Sequence, residues 1–353
     1  MSAPIRILGL GTAMPDNVLD AAESKALLEL MFKPPKRVLE VIEHQQVHQR
    51  RVLREASWYL SGASFPERNA VAVSTATAMT EAASKSALAE ARVAPSDIAA
   101  IVFVTSTIVS MPGIENTLID ALDLPSSVLR VPIWGRGCTG GALGVNVGTR
   151  LSESFAGQPV LVVVVDCCTA NVQASDRSLT NILISALYAD GAAAVIIGGG
   201  NRGPEVLGSR STVVPGTAEL GGWDLVPTGL KYRYHSSITS IATQIIPEEV
   251  RAVRQSHGFR GDVFGTVILQ PANADALAGQ SEAMSLRSEV SLLNVDNLRE
   301  RGNLSGPAVL FALNDLVCDA DHAARPSGGD AFTLVGTGPG YSIEQVLLRF
   351  TTV

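Results

Sequence analysis

Apolar positions in this chain fall in short unbroken runs rather than in strict alternation. Ile98–Thr105, Val128–Ile133, Val160–Val165 and Ala192–Ile197 are continuous, β-branched and bounded by turn residues. Such runs predict strands covered on both faces. Between them, Ala70–Ala91, a stretch ending at Leu122, residues 139–154 and Asn181–Leu187 carry helical spacing. A first strand is predicted over Ile5–Thr12, ending in a glycine turn, and residues 20–55 read as helical and polar with a break at Pro34-Pro35. Strands that alternate with helices in this way predict an α/β layer with a largely parallel sheet. The pattern then recurs loosely. Strands are predicted at Glu205–Thr212, Val263–Leu269, Phe332–Val335 and Gln345–Phe350, helices at Pro247–Gln255 and Pro307–Cys318, and a surface loop at 324–330. Two similar halves, 1–200 and 201–353, are expected to share one core, because no low-complexity linker separates them.

Composition narrows the function classes. The 353 residues are 46% hydrophobic, enough for a large core. A net charge of −7 argues against a general nucleic-acid role. Neither a signal peptide nor a membrane span is predicted: Met1–Arg6 starts no charged-then-apolar leader, and runs such as Val160–Val165 are too short to span a bilayer. A cytoplasmic protein is expected. Cys138, Cys167, Cys168 and Cys318 form no CxxC spacing, so neither a disulfide framework nor a zinc site is expected.

One turn carries candidate chemistry. In Gly135-Arg136-Gly137-Cys138-Thr139-Gly140-Gly141 a cysteine stands where a glycine turn enters a small-residue helix. There the positive helix end favours the thiolate, the nucleophilic form, and backbone N–H groups face a developing oxyanion. The same pattern also suits a small buried cysteine at a tight junction.

Further stretches, read together, resemble one family. They are Ile7–Ala13; Glu67-Arg68-Asn69; Val104-Thr105-Ser106 with Met111-Pro112-Gly113; Gly135–Gly141; Ser185–Val195; Gly302-Asn303-Leu304-Ser305-Gly306; and Gly336-Thr337-Gly338-Pro339-Gly340. The chain resembles the type III polyketide synthases, the chalcone-synthase-like branch of the thiolase superfamily. The resemblance implies a five-layered αβαβα fold, a homodimer and a Cys–His–Asn constellation without metal or cofactor. The cysteine takes an acyl group from a thioester, and the histidine and asparagine stabilise the enolate of a decarboxylating malonyl unit. Cys138 matches the nucleophile and Asn303 the asparagine. Tyr188 matches a gatekeeper aromatic that is commonly phenylalanine, and Tyr232 a second one. Met111 resembles the residue that crosses into the partner's cavity, Ser106 lies in a pocket-lining stretch, and Pro339 would line the cavity floor.

Two departures stand out. The histidine position, at the end of Val267-Ile268-Leu269, holds Gln270, 33 residues before Asn303. A glutamine keeps an N–H donor, but it neither takes a proton near neutral pH nor pairs with a thiolate. Of His44, His48, His235, His257 and His322, His235 is expected nearest the pocket wall. At the tunnel mouth, where the family holds the CoA phosphates, Lys36 and Arg37 remain, but Glu40 and Glu43 thin the basic face.

Three functions are weighed. The first is a type III polyketide synthase-like acyltransferase that uses acyl-CoA and malonyl-CoA, or a carrier-protein donor, and makes a pyrone, resorcinol or phloroglucinol. The second is an acyltransferase to a hydroxyl or amine without decarboxylation, compatible with Gln270. The third is a non-catalytic partner of an active synthase.

Overall fold

Alternate residues of the run Val160–Val165 serve two different cores, which is why the run is apolar throughout. Val160, Val162 and Val164 pack into one cluster, and Leu161, Val163 and Val165 into another. The computed structural model describes residues 3–260, 263–327 and 329–350, so Gly328 of the expected loop lies outside the described residues. In chain order the first half contains β1 (Ile5–Ala13), β2 (Val18–Asp20), α1 (Ala21–Phe32), α2 (Lys36–His44), β3 (Gln49–Arg51), α3 (Ala56–Tyr59), α4 (Phe65–Ala91), β4 (Ala100–Thr105), α5 (Ile114–Ala121), β5 (Leu129–Trp134), α6 (Gly140–Ser154), β6 (Val160–Cys167), α7 (Leu179–Leu187) and β7 (Asp190–Gly199). The second contains β8 (Glu205–Val213), β9 (Gly221–Val226), β10 (Gly229–Tyr234), α8 (Ser237–Ser256), β11 (Val267–Leu269), α9 (Ala274–Ala283), α10 (Ser288–Arg301), α11 (Ala308–Cys318), β12 (Ala331–Gly338) and β13 (Ser342–Arg349).

The strands run in the order β11-β12-β13-β8-β1-β7-β6-β4-β5. Only one register pair, Arg6 with Glu205, joins β1 to β8, so the array divides there into two sheets. Between them lie α6 and α11, whose Val145, Val309, Leu310 and Leu313 meet residues of both sheets. On the outer face of the first sheet α4 lays down Ala72, Ala76, Ala83 and Ala87. On the outer face of the second, α8 and α9 bring Ala242, Ile246, Val250 and Leu277 against Val267, Leu269 and Val335. The result is the αβαβα layering that the resemblance implied. The parallel character predicted for the sheet is confined to β4–β5, β4–β6 and β11–β12; the other ladders are antiparallel.

Close packing of α4 on β1 depends on Gly9 and Gly11. A Cβ at either would strike the α4 backbone at Ala87 or Ala83. Several boundaries differ from the sequence reading. Residues 49–51, expected to be helical, form β3, because Arg50 is drawn into the protein while β3 pairs with β2. Helix α8 begins ten residues before Pro247, which lies inside it. A proline was read as a first-turn residue; here packing of Ala242 and Ile246 extends the helix on its N-terminal side. The hairpin β9–β10 and helices α9 and α10 were not predicted.

Candidate active site

The site forms where the central layer meets the ends of both sheets. Cys138 sits in a 3-10 turn, Gly137–Thr139, directly ahead of α6. Gly137 adopts φ +50° to make that turn, and its N–H donates to Ser106 Oγ at 2.6 Å, tying the turn to the end of β4. Asn303 follows Gly302, whose φ of +71° ends α10. The backbone of Asn303 bridges to Tyr188: its N–H donates to Leu187 O at 2.8 Å, and Ala189 N–H donates to Asn303 O at 3.0 Å. Tertiary pairing thus brings residues from both halves to the same cavity.

That cavity measures about 360 Å³. Of the residues expected at the site, Ser106, Cys138, Tyr188, Tyr232, Asn303 and Pro339 line it. The Cys138 thiol donates to Ser305 Oγ at 3.6 Å and lies 3.8 Å from Tyr188 Oη. Tyr188 and Tyr232 stack, with ring centroids 5.4 Å apart. The half-buried Cys138 does not have the lowered pKa that its place before a helix suggested. Burial pushes the thiol up to about 11, against the opposing hydrogen bonds from Ser305 and Tyr188. Among the described residues no cation is found to offset the thiol's desolvation, and a carboxylate, Asp166, raises it further.

Gln270 occupies the expected place at the end of β11 but turns away from the cavity. It is 2% exposed. Its Nε2 donates to Asn303 Oδ1 at 3.1 Å and to Ser305 O at 3.2 Å, which uses both N–H groups. Ser305 N–H donates to Asn303 Oδ1 at 2.8 Å. A backbone carbonyl only accepts and a backbone N–H only donates, so Ser305 fixes the orientation of both amides. Asn303 Nδ2 is left as the donor on the cavity side. The N–H donor that Gln270 keeps is thus spent inside the protein, where it holds Asn303.

The five histidines are elsewhere. His235 bonds Ser237 on the exposed side of the loop after β10, and His44 pairs with Asp275 at 3.0 Å near the mouth. Lys36 and Arg37 are exposed and do not line the cavity; Val41 of α2 and Gln45, which caps its end, do. Lys36 pairs with Glu40. Leu179 and Leu183 of α7 complete a largely apolar mouth. Met111 is 99% exposed, outside this chain's own cavity.

Asp166 and Trp223 were missed in the sequence. Trp223, on the unpredicted β9, lines the cavity and packs edge-on against Trp134 at 4.7 Å. Asp166 lies one residue before the end of β6, fully buried, and accepts from Ser106 N–H at 2.8 Å, Thr107 Oγ1 at 3.1 Å and Gly306 N–H at 3.1 Å. Burial still lifts its carboxyl to about 6. The signal for it was present: a charge closing a wholly apolar strand needs buried partners.

The comparisons with known proteins bear on this constellation. The chain is 31% identical over 301 residues to the 1,3,6,8-tetrahydroxynaphthalene synthase of Streptomyces peucetius subsp. caesius, covering 83% of this chain and 78% of that protein. The chain belongs to the type III polyketide synthase family. The family model for chalcone and stilbene synthases, N-terminal domain, matches residues 47–201. The fold is shared with the tetrahydroxynaphthalene synthase of Streptomyces coelicolor A3(2), at a TM-score of 0.92 and 22% identity over 99% of this chain and all of that one. CsyB in complex with CoA-SH superposes with a TM-score of 0.89 at 20% identity, covering 98% of this chain and 100% of that one.

Proposed function

We propose that the chain loads an acyl group from a CoA thioester onto Cys138 and extends it with malonyl units to a small pyrone, resorcinol or phloroglucinol. The observation that carries this reading is the convergence of the Cys138 thiol and the Asn303 Nδ2 donor on one cavity. Loading forms an S–acyl bond at Cys138 and expels CoA thiolate. A malonyl thioester then loses CO2, and the electron pair moves toward the thioester oxygen, where Asn303 Nδ2 donates a hydrogen bond. The enolate carbon attacks the acyl carbonyl, and Cys138 thiolate leaves. Within this scheme Gln270 positions Asn303, and the tyrosine pair lines the passage between mouth and cavity. The related structure solved with CoA-SH supports a CoA donor. Homodimerisation through the face bearing exposed Met111 and Val109 is part of the same proposal.

The test is incubation with malonyl-CoA and a panel of acyl-CoA starters, followed by mass analysis of released products. Release of a pyrone or resorcinol with CO2 is expected. A stable acyl-enzyme without CO2 that transfers to added alcohols or amines would instead select the non-decarboxylating acyltransferase, the reading that loss of a histidine at position 270 favours.

A further inference from the structure

We propose that the Tyr188 hydroxyl is the second oxyanion donor of this site, acting with Asn303 Nδ2 on the thioester oxygen during decarboxylation. This inference rests on the synthase reading above. Four observations carry it. First, the groups expected to donate are spent or absent: both N–H groups of Gln270 are bonded inside the protein, and among the described residues no histidine lines the cavity. Second, Tyr188 Oη lies 3.8 Å from Cys138 Sγ, the atom beside which the reacting carbonyl must sit.

Third, the phenol is held firmly. The Tyr188 backbone pairs in parallel with Asn303, so the two side chains leave the bridge on the same side. Buried Arg50 donates to the Tyr188 carbonyl at 2.7 Å, and Tyr232 stacks on the ring. A donor fixed before the reaction costs no reorganisation in the transition state. Fourth, burial and the surrounding groups push the phenol well above its ordinary value, so it keeps its proton and remains a donor.

The step balances without a further reactant. The C–C bond to the carboxylate breaks and CO2 leaves. Its electron pair forms the enolate, whose oxygen accepts from Tyr188 O–H and Asn303 N–H; neither proton is transferred. When the enolate attacks, the hydrogen bonds relax.

The experiment measures malonyl-CoA decarboxylation and Cys138 acylation separately in wild type, Tyr188→Phe and Tyr188→Phe/Gln270→His, each with a thermal melt. Tyr188→Phe keeps the ring and removes only the hydroxyl. Loss of one oxyanion donor costs about 10²-fold or more in turnover. The expected result is a loss of about that size in decarboxylation, with acylation falling less than about tenfold because one neutral hydrogen bond to the thiol is lost. The added histidine restores at least about tenfold. Wild-type decarboxylation in a folded Tyr188→Phe overturns the inference. So does an equal fall in both steps, which would mark Tyr188 as a gate alone. A wild type that neither acylates nor decarboxylates any thioester overturns the synthase reading itself, and this inference with it.

Discussion

Replacing Gln270 with histidine should change the chemistry of Cys138 more than any other single substitution. In the structure the thiol is raised from 9.0 to about 11 by burial, and no cation among the described residues offsets the rise. That rise corresponds to about 3 kcal/mol against the thiolate. At pH 7.5 the reactive form is then roughly 3 × 10⁻⁴ of the total, from the difference between pH and pKa. An imidazole at position 270 beside Ser305 supplies the missing positive partner, and cysteines paired with His⁺ fall to about 3–4. The assay is the pH dependence of Cys138 alkylation by iodoacetamide, followed by intact mass in a Cys318→Ser background, because Cys318 is exposed. The wild-type rate should climb about tenfold per pH unit from 6 to 10 with no plateau. Gln270→His should bring a plateau below neutrality and at least a tenfold faster reaction at pH 7. A wild-type plateau below pH 7 would refute the reasoning, because it would mean a cationic partner already faces the thiol.

Further predictions follow from the surrounding structure. Asn303→Ala removes the cavity-side donor, and malonyl decarboxylation should fall by about 10²-fold or more while the fold survives by circular dichroism. Asp190 is buried with its carboxyl raised from 3.8 to about 7 by desolvation. Between those values the folded chain holds a proton that the unfolded chain has lost, so stability should decline as pH rises from about 4 to about 7. Asp190→Asn should flatten part of that slope in melts across this range. Leu310→Ala empties a fully buried position in the central layer and should cost about 2–5 kcal/mol in denaturant unfolding. Gly11→Val forces a side chain into the α4 backbone and should cost at least about 1–3 kcal/mol, or prevent folding.

Much of the first half was readable because its strands are covered on both faces. The runs 98–105 and 160–165 need no alternation to be recognised, and each is found within a residue or two of its expected span. The hairpin β9–β10 escaped because Gly221-Gly222-Trp223-Asp224 mixes breakers with a single aromatic and shows no period. Helices α9 and α10 have weakly sided polar surfaces, and their folding is set by Leu277, Val290 and Leu298 meeting distant partners. At the site, Cys138 was picked out by its glycine turn and Asn303 by the resemblance carried in Gly302-Asn303-Leu304-Ser305-Gly306, and both line the cavity. What Gln270 does was not legible. Its identity is local, but its orientation is dictated by the backbone of Ser305, and the thiol's environment is dictated by how deeply the cavity excludes water. Both are tertiary facts that spacing along the chain does not encode.

The central claim is that Cys138 carries the growing acyl chain in a decarboxylative condensation. Intact-protein mass after exposure to acyl-CoA starters and malonyl-CoA tests it most directly, with Cys138→Ala as the comparison. The account predicts an acyl adduct on the wild type, absent from Cys138→Ala, that is discharged as a released polyketide when malonyl-CoA is added. An adduct that persists in Cys138→Ala, or polyketide release by that variant, would contradict it.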